Sequence, residues 1–225
     1  MGEQRVEAVE RALSILEAFG ETADELSLAE LAEETGLYKS TILRLAASLG
    51  RYGYLVRGED GRYRLGPSLW RLGSLYRRGF DLGEAIRPEL RGLVEATGET
   101  ASFNVRESDE RVCLYREHSR QEIRHHLDEG TRLPLDRGAA GHVLRAFTGG
   151  SDEISRQTRA QGFAISIAER SPDVAAVAAP VLSAAGELRG ALAVSGLTSR
   201  LDARAREKAV ELVIEAASRL RSGLL

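Results

Sequence analysis

Residues 27–66 constrain this chain more than any other stretch: SLAELAEETGLYKSTILRLAASLGRYGYLVRGEDGRYRLG. Ser27 with Glu30 three positions later is a capping-box pair, which starts a helix at Leu28. Thr35-Gly36 breaks that helix. A second spans about 39–52, with Ile42, Leu45 and Leu49 on one face at helical spacing. Its other face carries Lys39, Thr41, Arg44, Ser48 and Arg51, with Ser40 beside them at the tip. Tyr54-Leu55-Val56-Arg57 and Arg62-Tyr63-Arg64-Leu65 flank Asp60-Gly61, which predicts a hairpin with a glycine turn. A short helix, a tight turn, a second helix with a polar and basic N-terminal end, then a hairpin make a helix-turn-helix with a wing. Such a unit is built to bind DNA.

Charge agrees once it is counted locally. Residues 1–37 hold two arginines, Arg5 and Arg11, against ten acidic residues, a net of −8. Residues 38–78 hold nine basic residues against Glu59 and Asp60, a net of +7. The whole chain is only −3, which argues against indiscriminate nucleic-acid binding, but phosphate contacts need a local field rather than a basic whole. A charge run is often only a solvated face; here it coincides with the helix-turn-helix pattern.

At 225 residues the chain suits two domains. Its 43% hydrophobic and 29% charged residues describe a globular protein. Cys113 is the single cysteine, so no intramolecular disulfide and no cysteine-based zinc site can form. No apolar run approaches the ~20 residues a membrane helix needs, and the N-terminus does not read as a secretory signal, so the expected location is cytoplasmic, with no membrane partner. His125-His126 are adjacent and would point to opposite faces of a strand, so they cannot share an ion; with His118 and His142 lacking a carboxylate-rich cluster, no metal and no cofactor are expected.

The apolar stripe of Val6, Val9, Leu13 and Leu16, with Ala12, Ile15 and Phe19, predicts a helix over 5–19 packed on the reading head. Gly66-Pro67 opens another helix carrying Leu69, Leu72 and Leu75, with Trp70 and Tyr76 nearby, ended by Gly79. It reads as a linker and a dimer contact, or else as a helix packed on its own domain. The domain plan is therefore 1–66 winged helix, 67–81 linker helix, 82–225 second domain. In that second domain a helix (82–97) precedes strands over 100–106, 111–117 and 123–128. Helices follow over 138–148 and 151–161, then strands over 175–181 and 188–194 and a closing helix over 202–222. The fold class is α+β, with a mostly antiparallel sheet.

Nearly the whole chain resembles the IclR family of bacterial transcriptional regulators. In the first domain the likeness rests on Gly36-Leu37, Lys39-Ser40-Thr41, Arg44-Leu45, Gly53-Tyr54-Leu55 and Tyr63-Arg64-Leu65-Gly66, then Leu69, Leu72 and Gly73. In the second it rests on Leu133-Pro134-Leu135, Gly138-Ala139-Ala140-Gly141, Gly162-Phe163-Ala164, Ala178-Ala179-Pro180-Val181 and Val194-Ser195-Gly196. The resemblance implies a winged helix, a linker helix and a GAF-like effector domain. It also implies double-stranded operator DNA and a small-molecule effector as partners, assembly as a homodimer or tetramer, and control of catabolic genes. Tyr38 replaces the family's usual proline at the reading helix, and the segment 148–161 is shorter than usual.

On the DNA side, Lys39, Ser40, Thr41 and Arg44 would enter the major groove, with Arg44 able to bind guanine bidentately. Ser40 could also cap its helix. Arg51 lies on the same face, and Arg57, Arg62 and Arg64 on the wing suit phosphates. On the effector side the resemblance points to Gly138, Ala139 and Ala140 through their backbone N–H groups, with Ser166, Ala176, Ala193 and Ser195. Ala176 and Ala193 stand where relatives carry more polar side chains, so a less polar wall and a larger or apolar ligand are expected, unless those alanines are plain core. Cys113 reads as core. Two rivals remain open: a winged-helix protein-interaction module with a dimerisation domain, and a hydrolase or transferase, although no G-x-S-x-G elbow, phosphate loop or H-E-x-x-H is present and Ser195 with His142 has no productive spacing.

Overall fold

A computed structural model describes residues 6–20, 24–79, 82–124 and 127–223. The chain divides into two compact units, Met1–Phe80 and Asp81–Leu225. The linker helix thus counts with the first unit.

In the first unit, α1 (Glu7–Glu17), α2 (Leu28–Thr35) and α3 (Lys39–Arg51) surround a core of Ile15, Leu26, Leu31, Ile42, Ala46, Leu55 and Tyr63. The capping box forms as expected: Glu30 N–H donates to Ser27 Oγ, and Ser27 N–H donates to the Glu30 carboxylate. Gly36 closes α2 at φ +65°, a left-handed conformation that suits glycine. The wing is β1 (Leu55–Arg57) paired antiparallel with β2 (Tyr63–Leu65), and Leu26 adds a bridge to Tyr63. Helix α4 (Pro67–Gly79) is tied back through Ser68, whose N–H donates to Gly53 O and whose hydroxyl donates to Tyr52 O. The expectation for α1 needs correction. Ile15 is buried and Leu16 partly so, but Val6, Val9 and Leu13 are more than half exposed, because one turn-spaced face is all the small core can cover.

The second unit is a six-stranded antiparallel sheet in the order β5-β4-β3-β8-β7-β6. Its strands are β3 (Thr100–Glu107), β4 (Glu110–Glu117), β5 (Arg132–Pro134), β6 (Ala164–Ile167), β7 (Val174–Leu182) and β8 (Leu188–Leu197). Helices α5 (Leu82–Thr97) and α8 (Ala203–Gly223) pack on one face, over Phe103, Tyr115, Val177, Leu192 and Val194. Helix α6 (Ala139–Phe147) covers the other face with α7 (Glu153–Gln161) beside it, over the small residues Ala178, Ala191 and Ala193.

Two strand expectations change. The described residues of 123–128 form no strand. The backbone N–H of Arg116, which a strand there would need, is taken by the Glu129 carboxylate at 2.9 Å, and the chain bonds to the β4 backbone only from Gly130 onward. His125 and His126 lie outside the described residues. Strand β6 has no counterpart in the expected elements: it has four residues, and its apolar Ile165 and Ile167 face outward.

Candidate DNA-reading helix and effector cavity

The N-terminal end of α3 is open. Its N-cap is Tyr38, which is largely exposed and makes no side-chain capping bond, and among the described residues no side chain bonds to the first-turn N–H groups. Ser40 therefore lies inside the first turn and does not cap the helix. Lys39, Ser40, Arg44 and Arg51 are exposed and Thr41 is half-buried, while Ile42 and Ala46 anchor the opposite face. An uncapped helix start with no acid in its first turn presents partial positive charge to a phosphate.

The wing arginines differ from one another. Arg64 is exposed opposite Val56. Arg57 lies over the Tyr63 ring, 5.5 Å from its centroid. Arg62 turns inward, donating at 3.0 Å both to Glu25 O and to the Glu30 carboxylate of the capping box. The Ser27 and Arg62 hydrogen bonds hold the Glu30 carboxyl below its ordinary range. Arg62 thus ties the wing to α2.

In the second unit all seven positions expected for the effector line one cavity of about 50 Å³, beneath the start of α6. Strand register explains the convergence. Ser166, Ala176 and Ser195 are successive partners across β6, β7 and β8, and Ala193, Ser102 and Arg116 are successive partners across β8, β3 and β4. Small side chains on these rows leave the hollow. At its rim Gly138 has φ +84°, and a Cβ there would come within 3.0 Å of Arg111 Nη2. Only glycine gives both the conformation and the space.

Two expectations for this cavity are corrected. The N–H groups of Gly138 and Ala139 are already engaged: the first donates to Glu169 Oε2 at 2.7 Å, the second to Ser166 Oγ at 2.9 Å. The wall is also strongly cationic, because Arg111, Arg116 and Arg170 line it together with Asn104 and Glu169. Arg111 and Arg116 are each only 6% exposed, and Arg111 Nε has no hydrogen-bond partner among the described residues. Burial, reinforced by repulsion from Arg170, lowers the Arg111 guanidinium to about 10. Burial and then Arg116 lower Arg170 as well. His142 is buried, with Nε2 2.7 Å from Glu169 Oε2, so its partner is that carboxylate and not Ser195. Cys113 is buried as expected, and burial raises its thiol. Among the described residues no group of three or more His, Cys, Asp or Glu could hold a metal ion, and no helix is long and apolar enough to cross a membrane.

The two units match two family descriptions. Residues 8–59 match the IclR helix-turn-helix domain, and residues 75–156 and 151–222 match the bacterial transcriptional regulator IclR C-terminal domain. The chain belongs to the IclR family. The C-terminal match falls in two pieces meeting within 151–156, inside the segment that the sequence suggests is shortened. The transcriptional regulator BhcR of Paracoccus denitrificans is 30% identical over 97% of this chain and 88% of its own length. XynR of Escherichia coli is 30% identical over 88% of each. Among solved structures, an IclR regulator from Alicyclobacillus acidocaldarius superposes with a TM-score of 0.80 at 24% identity, covering 97% of this chain and 98% of its own. An IclR homologue from Microbacterium hydrocarbonoxydans, complexed with 4-hydroxybenzoate, gives 0.80 at 21% identity over 96% and 98%. These two likenesses show the fold. As an IclR member the chain is a DNA-binding transcriptional regulator and not an enzyme.

The IclR motifs point to the turn, β6, β7 and β8, but not to the arginines. Arg111 and Arg116 are five residues apart, which in a regular strand sends them to opposite faces. The register shift in β4 leaves Leu114 unpaired, since Phe103 pairs with Tyr115 and Asn104 with Cys113. That extra residue restores parity and turns both arginines toward the cavity. No pattern in the sequence marks the bulge.

Proposed function

We propose that this regulator reads operator DNA through α3 and changes its DNA affinity when a small organic acid occupies the α6 cavity. The observation that carries the effector half is the buried Arg111, its Nε unpartnered at the wall of a hollow it shares with Arg116 and Arg170. Two buried guanidiniums and a half-buried third lining one space favour an anion there. The solved homologue holding 4-hydroxybenzoate supports a ligand in this fold. Lys39, Ser40, Thr41 and Arg44 would meet base edges and phosphates, with Arg51, Arg57 and Arg64 on the backbone; Arg62 serves the wing. The partner surface for a second copy is the uncovered apolar face of α1, with Trp70, Leu72 and Leu75 on α4, giving a dimer or higher oligomer with paired reading helices. The setting is the cytoplasm and the target a catabolic operon.

The test uses the full chain with DNA from upstream of its own gene. Gel shifts should show sequence-specific binding, and organic acids suggested by neighbouring genes should alter it. Ala140→Leu fills the cavity and should abolish the acid response while leaving DNA binding intact. An acid response that survives Ala140→Leu would place the effector elsewhere.

A further inference from the structure

Glu169 offers the cavity an acceptor. It lies in the β6–β7 connection, just after Ala168 at φ +57°, a left-handed backbone conformation uncommon for alanine. Its Oε2 accepts from the Gly138 N–H and contacts His142 Nε2, each at 2.7 Å. His142 Nδ1 is buried and has no partner among the described residues, so the ring proton sits on Nε2 and Glu169 accepts it. Both hydrogen bonds that Glu169 makes among the described residues thus fall on Oε2. Oε1 remains open, on a side chain about a third exposed that lines the cavity.

Arg111 stands across Gly138 from it. A Cβ on Gly138 would lie 3.0 Å from Arg111 Nη2, and Gly138 N lies 2.7 Å from Glu169 Oε2. With the N–Cα–Cβ span added, the two charged groups are at most about 8 Å apart. Among the described residues they make no ion pair, although Glu169 acts electrostatically on Arg111, whose Nε is buried without a partner. A molecule with an acid group beside a donor closes such a gap. A 2-hydroxy acid, with a hydrogen bond of about 2.8 Å at each end, reaches across about 8 Å. Beside Glu169, Ser166 Oγ already accepts from the Ala139 N–H, which leaves its own proton to give. A ligand hydroxyl donates to Glu169 and accepts from Ser166; an ammonium can only donate. A keto oxygen there would face Glu169 Oε1 with no proton between them. We propose that the cavity selects a small 2-hydroxy monocarboxylate, its acid group on Arg111 and its hydroxyl between Glu169 Oε1 and Ser166, so that Glu169 distinguishes a hydroxy acid from the matching oxo acid. The proposal rests on the cavity being the effector site. A volume of about 50 Å³ admits roughly four water-sized groups, the bulk of a two- or three-carbon acid.

Calorimetric titration of the full chain with the two lactate enantiomers, pyruvate, propionate, alanine and 3-hydroxypropionate tests this. One lactate enantiomer should bind at least about tenfold more tightly than pyruvate or propionate, the worth of one hydrogen bond to a charged acceptor. Glu169→Gln keeps an oxygen for the Gly138 N–H and turns the open atom into a donor, so the lactate-to-pyruvate ratio should move at least about tenfold toward pyruvate. The wild-type comparison stands even if that variant folds poorly. Propionate or pyruvate matching lactate in the wild type would overturn the selection of a hydroxyl. A ratio unchanged in folded Glu169→Gln would overturn the role of Glu169. Alanine binding more tightly than lactate would replace the hydroxyl with an ammonium, and 3-hydroxypropionate matching lactate would overturn the 2-position; either result refutes the proposed class. In each of these cases, acid binding lost in Ala140→Leu would still leave the cavity as the effector site. Lactate binding untouched by Ala140→Leu, or no acid bound at all, would overturn the cavity reading and this proposal with it.

Discussion

Replacing Arg111 with methionine should make the ligand-free protein more stable while destroying its response to acids. Arg111 is almost wholly buried, its Nε makes no hydrogen bond among the described residues, and its guanidinium is lowered from its ordinary value to about 10 by burial and by Arg170. At about 1.36 kcal/mol per pH unit that difference is roughly 3 kcal/mol against the charged form in the folded state. Methionine keeps much of the length and packs without a charge, so about 1–3 kcal/mol should be recovered after the loss of the attraction to Glu169 and some volume. In a protein of this size that is a rise of about 3–10 °C in Tm. The sign also has a pH signature. A base with a depressed folded pKa weakens the fold at every pH below about 10, and stability recovers only as pH climbs from there toward the ordinary guanidinium value. Wild type and Arg111→Met should therefore differ by a constant amount between pH 6 and 9. Scanning calorimetry of the full chain, with and without an organic acid that alters operator binding, reads both effects. A lower Tm for the variant, or a gap that closes between pH 6 and 9, would refute the view that Arg111 is held in the fold against its own solvation.

Arg44→Ala should cost about 1–3 kcal/mol on the operator and relax preference at one base pair, measured by gel shift on single-position operator variants. Arg62→Met should lower the stability of the first unit by up to about 1 kcal/mol, given its half-exposed pairing with Glu30, and change the salt slope of DNA binding far less than Arg64→Met does. Leu72→Glu should weaken self-association and operator binding together in sedimentation and gel-shift assays. Arg200→Met should destabilise the second unit by about 3–5 kcal/mol in urea melts, because it strips the paired guanidinium from Glu99, a carboxylate only 5% exposed.

Local chemistry made the first unit legible. Ser27 and Glu30 mark a helix start within four residues, Gly36 marks its end, and the spacing of Ile42, Leu45 and Leu49 orients the next helix without reference to anything distant. What the same residues could not show was that Val6, Val9 and Leu13 stay uncovered, since that depends on how much surface the rest of the unit offers. In the second unit the alternation of β3, β7 and β8 and the small-residue turn before α6 were readable. The short β6 was not, because its isoleucines face away from the core.

The sequence by itself determined the two-unit plan, the reading helix with its basic face, and the seven small or hydroxyl-bearing positions that now share one cavity. Its family motifs carry those positions because each is a local requirement: a left-handed glycine, a short side chain, a turn. Only the tertiary structure decided what fills the cavity's wall. Arg111 and Arg116 face it because Leu114 bulges out of register against Phe103 and Asn104. Glu169 reaches Gly138 across thirty-one residues of sequence. Strand pairing sets both, and pairing depends on the energy of a whole sheet, which no local run of side chains encodes.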